Sequence, residues 1–229
     1  DAVWENIKAT GWWFVPVIGI WGIVYIINAY AHFVIIRNKK LPDEYYPSFL
    51  RVLKITISGY AINYITPVVA LGGEAYRVLE LQTEIGTRRA TSSTLSYNIM
   101  HILSHIVFWM CSIPLVLIVL EASWTLTIGS VVLFAVFVLV LYLVFKGYKK
   151  GLVVKTFRLL EKIPFLKKSI KRFNENKLPA FEEMDGHITN FYAERKSDFY
   201  LSLGLELLAR VVSCFELLFI AKAIQVDMS

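Results

Sequence analysis

Cysteine is nearly absent: the 229 residues hold only Cys111 and Cys214, each inside an apolar stretch. Neither stands at metal-ligand spacing, and both read as small buried hydrophobes. No nucleophile elbow, phosphate-binding glycine loop or paired-cysteine motif is present, so nothing points to catalysis, a cofactor or a metal. The N-terminus lacks the basic flank of a cleavable signal sequence, starting instead at Asp1. A start without Met and a stop at Ser229, just past an apolar helix, read as a fragment of a longer chain.

Formal charge is missing in long blocks. Residues 11–36 carry none apart from the neutral His32, residues 90–120 none apart from His101 and His105, and residues 122–145 none at all. Each block exceeds the roughly 20 residues that cross a hydrocarbon core of about 30 Å. Backbone polar groups at that depth must be satisfied within the segment, so the blocks are helices. With 56% hydrophobic residues, the reading is an all-α polytopic membrane protein. A fourth segment, 199–220, is apolar but holds Glu206, Arg210 and Glu216.

The charges that are present lie in loops and set the orientation. Arg37, Lys39, Lys40, Arg51 and Lys54 outweigh Asp43 and Glu44, and the stretch 146–197 is heavily basic, whereas the short link near 121 offers only Glu121. The basic loops are therefore cytoplasmic and Glu121 external. The net charge of +6 needs no nucleic acid to explain it. Spans then fall near 11–36, 90–120, 122–145 and 199–220 of a single transmembrane domain covering 1–229. In the loop 146–197, apolar residues such as Val153, Phe157, Leu160 and Phe165 alternate with lysines and arginines, and Pro164 divides it. This pattern fits basic amphipathic helices on anionic headgroups, or a cytoplasmic hairpin with its own core.

The orientation leaves the apolar segment 55–73 with both ends inside. Gly59, Asn63, Pro67, Gly72 and Gly73 break it. A re-entrant pair of half-helices over 49–86, turning near Thr66-Pro67, satisfies this constraint. A single kinked crossing would put the basic 37–54 loop outside. Just past the glycine pair, Glu74 and Arg77 stand three residues apart on one helical face, and Glu80 is placed to grip Arg77 from its other side. Charges at membrane depth are costly and mark sites or pathways. Glu80 and Glu84 fit headgroup level better. Glu206 and Arg210 are spaced for a helical ion pair, structural or functional. His101 and His105, with Tyr97 and Asn98, suit interhelical hydrogen bonds better than a metal, because no third ligand is near.

Asn63, Thr66-Pro67, Gly72-Gly73-Glu74, Arg77, Leu81 and Gly86 resemble the N…P…GGE…R…L…G pattern of the flippase-like membrane family that includes the transmembrane region of lysylphosphatidylglycerol synthase. Glu206 to Arg210, Phe215-Glu216 and Ala221 are similar to a later helix of that family. The motifs cover 59–90 and 202–223, while order and topology extend over most of the chain. The histidines at 101 and 105 stand outside the pattern. The resemblance implies transfer between leaflets of a phospholipid, an aminoacyl-phospholipid or a polyprenyl-linked lipid, in the cell membrane of a bacterium or archaeon. It implies substrate contacts at Asn63, Pro67, Gly72, Gly73, Glu74, Arg77, Glu206 and Arg210, with membrane lipids bearing an anionic or phosphate headgroup as partners. The soluble aminoacyl-transfer domain of the synthase is not within these residues, so its chemistry is not carried over. Two other classes remain at this point: a membrane enzyme or accessory subunit that binds a lipid phosphate without moving it, and a structural subunit.

The orientation is testable with single cysteines at Lys39, Gln82, Glu121 and Lys168 after Cys111→Ser and Cys214→Ser. An impermeant thiol reagent applied outside is expected to label position 121 alone. Labelling of position 82 from outside overturns the re-entrant reading.

Overall fold

The first uncharged block forms a single helix, α1 (Phe14–Ile36), preceded by a 3-10 turn at Gly11–Trp13. The computed structural model describes residues 11–37, 45–66, 72–119, 123–148, 186, 189 and 191–223. Five further helices follow: α2 (Phe49–Ile65), α3 (Gly72–Ile85), α4 (Thr87–Val119), α5 (Trp124–Tyr148) and α6 (Lys196–Ala223). No strand occurs among the described residues. Pro67, Glu121 and nearly all of the loop 146–197 lie outside them.

Among the described residues, three stretches are long and apolar enough to cross a membrane: Gly11–Ile36, Thr87–Val119 and Trp124–Leu143. The chain is an all-α polytopic membrane protein. The helix α6 carries too much charge to qualify by composition, yet it pairs with α1 from end to end. Trp13 stacks on Phe219, and Trp21 Nε1 donates to Glu216 Oε1 at 2.9 Å. Ile20 and Val24 pack with Ala209. Ser202 Oγ donates to the Ala31 carbonyl at 3.3 Å, and Ile35 shares a core with Phe199. Numbers rise on one helix as they fall on the other, so the two are antiparallel.

The segment 49–86 is an antiparallel hairpin of two half-helices, the geometry a re-entrant pair requires. Near its tip, Gly73 N donates to Asn63 Oδ1 at 2.7 Å. Midway, Arg77 lies along Gly59. Deeper in the stem, Leu81 packs with Val52 and Ile55. At the open end, Arg51 bridges Glu80 and Glu84, each at 2.8 Å. Glu80 is thereby committed to Arg51 and does not reach across to Arg77, because the hairpin sets it at the stem. Tyr45 donates to Glu84 at 3.2 Å, and that carboxylate holds the phenol above the usual tyrosine range. Gly86, at φ 77°, supplies the left-handed residue that separates α3 from α4.

Two arginines close the C-terminus of α1, whose last carbonyls have no helical partner. Arg195 donates to the carbonyls of Ile35 at 3.0 Å, Val34 at 2.7 Å and Arg37. Arg89 donates to the Ile36 carbonyl at 2.9 Å and the Tyr45 carbonyl at 2.8 Å. The end of α1, the open end of the hairpin and the starts of α4 and α6 therefore share one side, and that side is rich in arginine. Cys111 and Cys214 are free and exposed, not buried as read from the sequence. They sit on outward helix faces, where an apolar neighbourhood means lipid and not protein. The same holds for most of α5, which exposes Leu126, Val131, Val132 and Leu139.

Only glycine fits the hairpin seam. A methyl group at Gly73 would collide with the Gly59 carbonyl oxygen and stand 2.6 Å from Asn63 Oδ1, whereas methyl groups at Gly19 or Gly204 would meet nothing within 4 Å. Gly73→Ala is expected to destabilise by about 1–3 kcal/mol, the usual range for overpacking. Gly19→Ala and Gly204→Ala should melt at or above the parent temperature. Equal thermal melting of all three variants in detergent would show that the seam is not tight.

Candidate functional site

Asn63 lies in the last turn of α2 on the face turned toward α3, and its side-chain oxygen accepts from the amide of Gly73, the second residue of the opposing helix. This anchors the start of α3 in register, so that Arg77 falls one turn further on, against Gly59. A methyl group at Gly59 would stand 2.7 Å from Arg77 Nε. The missing side chain is what lets the guanidinium lie between the helices.

There Arg77 is 1% exposed. Its Nη1 donates to both oxygens of Glu74, at 3.0 and 3.2 Å. Its charge faces the ring of Tyr60 at 4.7 Å and the ring of Tyr97 at 5.1 Å. Such cation–π contacts strengthen when desolvated. The two phenols bond each other at 2.7 Å, and Asn28 Nδ2 donates to Tyr60 at 3.3 Å. His32 stacks on Tyr97 at 4.6 Å. Nε and Nη2 of Arg77 are buried with no hydrogen-bond partner among the described residues. Arg77 lines a cavity of about 430 Å³, shared with Asn63, Tyr64, Glu74, Asn98 and His101.

From Thr87 to Tyr97 is roughly 15 Å of helix, so the site stands well inside the bundle from the arginine-rich end. Tyr25, at a similar distance from the end of α1, contacts Tyr60 with ring centroids 5.4 Å apart.

A second charged group stands behind His101. Glu206 is fully buried, and its Oε2 is 2.7 Å from His101 Nδ1. Arg210 Nη2 is 2.8 Å from both ring nitrogens of His101 but 3.7 Å from Glu206. A neutral imidazole protonated on Nδ1 suits these neighbours: it donates to the carboxylate and accepts from the guanidinium on Nε2. The pair expected within α6 is thus completed from α4, and His101 makes the interhelical contact. His105 follows one turn on, its ring centroid 5.2 Å from that of His101.

A family model described as the lysylphosphatidylglycerol synthase TM region matches residues 1–229, the whole chain. The chain belongs to that family. No curated protein and no solved structure matched.

The family pattern read from the sequence converges in space only in part. Asn63, Gly72, Gly73, Glu74 and Arg77 form the hairpin site, with Gly72 seated against Thr66 and Ile62; Pro67 lies outside the described residues. Glu206 and Arg210 join the same region only through His101, whose ring is 6.1 Å from Tyr60 and 6.0 Å from Tyr97. Glu216 has no part in it, being held by Trp21. Tyr60 and Asn28 escaped sequence reasoning. The usable signal for Tyr60 was its place beside Gly59, where a ring can cover whatever enters the gap. Among the described residues no three His, Cys, Asp or Glu side chains gather as a metal site.

Removing one member of a buried charged pair strands the other, at a cost of about 3–5 kcal/mol. Glu206→Leu and Arg210→Met are each expected to lower the melting temperature sharply. The double variant should lose less than the worse single, with incomplete recovery because His101 then lacks both partners. Two single variants that melt like the parent would place the pair in water.

Proposed function

We propose that this chain moves a lipid with a phosphate-bearing headgroup between the leaflets of its membrane, as a carrier and not as an enzyme. The observation that carries this reading is the Arg77 guanidinium: buried, in a residue that lines a cavity, with two nitrogens lacking acceptors among the described residues. An unpaired buried donor is costly. A phosphate oxygen pair matches the fork of an arginine, which stays charged throughout the physiological range. A phosphate crossing the bilayer in turn needs a desolvated partner, and broken half-helices are where transporters build such sites. Membership in a family named for the membrane region of a lipid synthase supports a lipid-related role. The membrane, on this reading, is the cell membrane of a bacterium or archaeon.

A rival of a different class binds the headgroup without moving it, as an enzyme or accessory subunit does. Such a role needs no sealed interior cation, whereas Arg77 is buried in the bundle. The test is movement of a fluorescent phosphatidylglycerol across proteoliposomes, read by dithionite quenching, with variants matched for folding by thermal melting. Arg77→Ala is expected to lose at least ~100-fold in rate, the loss of a doubly bonded charge contact. Arg77→Lys should keep part of it, since the charge remains but the fork is gone. Parental movement by well-folded Arg77→Ala removes this residue from the mechanism. Binding without movement by the parent favours the rival.

A further inference from the structure

The two buried ion pairs are mirror images in access. In the hairpin pair the guanidinium is sealed and the carboxylate is open: Arg77 is 1% exposed and Glu74 24%. In the α6 pair the carboxylate is sealed and the guanidinium partly open, with Glu206 at 0% and Arg210 at 16%. Both pairs are neutral. A phosphate arriving at Arg77 therefore adds an uncompensated negative charge beside Glu74, in a setting where charges are weakly screened. One added positive charge restores neutrality.

Resting on the function proposed above, we infer that Glu74 is the coupling carboxylate of this site: it takes one proton from the aqueous phase as Arg77 takes an anionic headgroup, and releases it when the headgroup leaves. The balance is simple. One proton and one singly charged phosphate enter together, and the charge of the site does not change. Protonation also loosens the Glu74 grip on Nη1, freeing a third donor for the phosphate.

The other titratable groups around Glu74 are poor acceptors for that proton. Tyr60 and Tyr64 from α2, and Tyr97 from α4, can only lose protons. Arg77 on the same helix is already charged. His101 from α4 has one nitrogen against Glu206 and both within 2.8 Å of the Arg210 guanidinium, so a second proton there would face a fixed cation. His32 from α1, stacked on Tyr97, is fully buried and has no route to water. Glu206 from α6 is sealed, with Arg210 and His101 against it. Glu74 alone combines a negative charge, contact with Arg77 and access to the cavity.

The measurement is calorimetric titration of the detergent-solubilised protein with dihexanoyl phosphatidylglycerol, repeated in buffers of different ionisation enthalpy to count protons. The parent is expected to take up about one proton per lipid, and its affinity to rise toward tenfold for each unit of falling pH, the limit for one linked proton. Glu74→Gln should bind at all pH values with an uptake near zero. Glu74→Ser gives the same readout should the amide perturb the fold. Parental binding with no proton uptake, or an uptake that persists in the folded variants, overturns the coupling. If coupling holds but proteoliposomes move no lipid, the transport reading falls and the linked binding site stands. Absence of binding by a folded parent at every pH overturns both.

Discussion

Two helix backbones touch where Gly73 faces the Gly59 carbonyl, and the polar interior depends on that contact. A side chain on Gly73 would push α2 and α3 apart, and one on Gly59 would take the space of the Arg77 side chain. With none, the half-helices close, Asn63 accepts from the Gly73 amide, and Arg77 slides into the groove left by Gly59. Burying a guanidinium there demands compensation, supplied by the Glu74 carboxylate and the faces of Tyr60 and Tyr97.

The charges are arranged by depth. At the arginine-rich side, Arg89 and Arg195 satisfy the last carbonyls of α1, and Arg51 ties the two stems of the hairpin through Glu80 and Glu84. These pairs are partly exposed, and each adds little stability alone. At mid-depth every charge has an opposite partner within α3 or α6, while aromatic rings and His101 join the two groups. An interior built this way stays neutral overall, as a low-dielectric setting requires.

Much of the architecture was legible from charge alone. Uncharged blocks of sufficient length dictate helices in a bilayer, since no other element satisfies its own backbone there. The excess of basic residues on both flanks of 55–73 leads to the expectation that this segment returns to the side it left, and α2 and α3 do pack antiparallel. The helix boundaries moved by only a few residues, as at Thr87 and Lys196, because helices run past the apolar zone into their caps.

The sequence by itself determined the class of protein, the hairpin, and the pairing of Glu74 with Arg77, because these rest on local spacing and on the solvent the chain must satisfy. Contacts between distant segments were decided only by the tertiary structure. It gave Glu80 to Arg51, Glu216 to Trp21 and Arg210 to His101, and it set Tyr60 and Tyr97 around Arg77. It also turned Cys111 and Cys214 outward. In a membrane both faces of a helix are apolar, so periodicity does not mark the buried side, and neighbours are chosen by packing across helices that no spacing along one helix encodes.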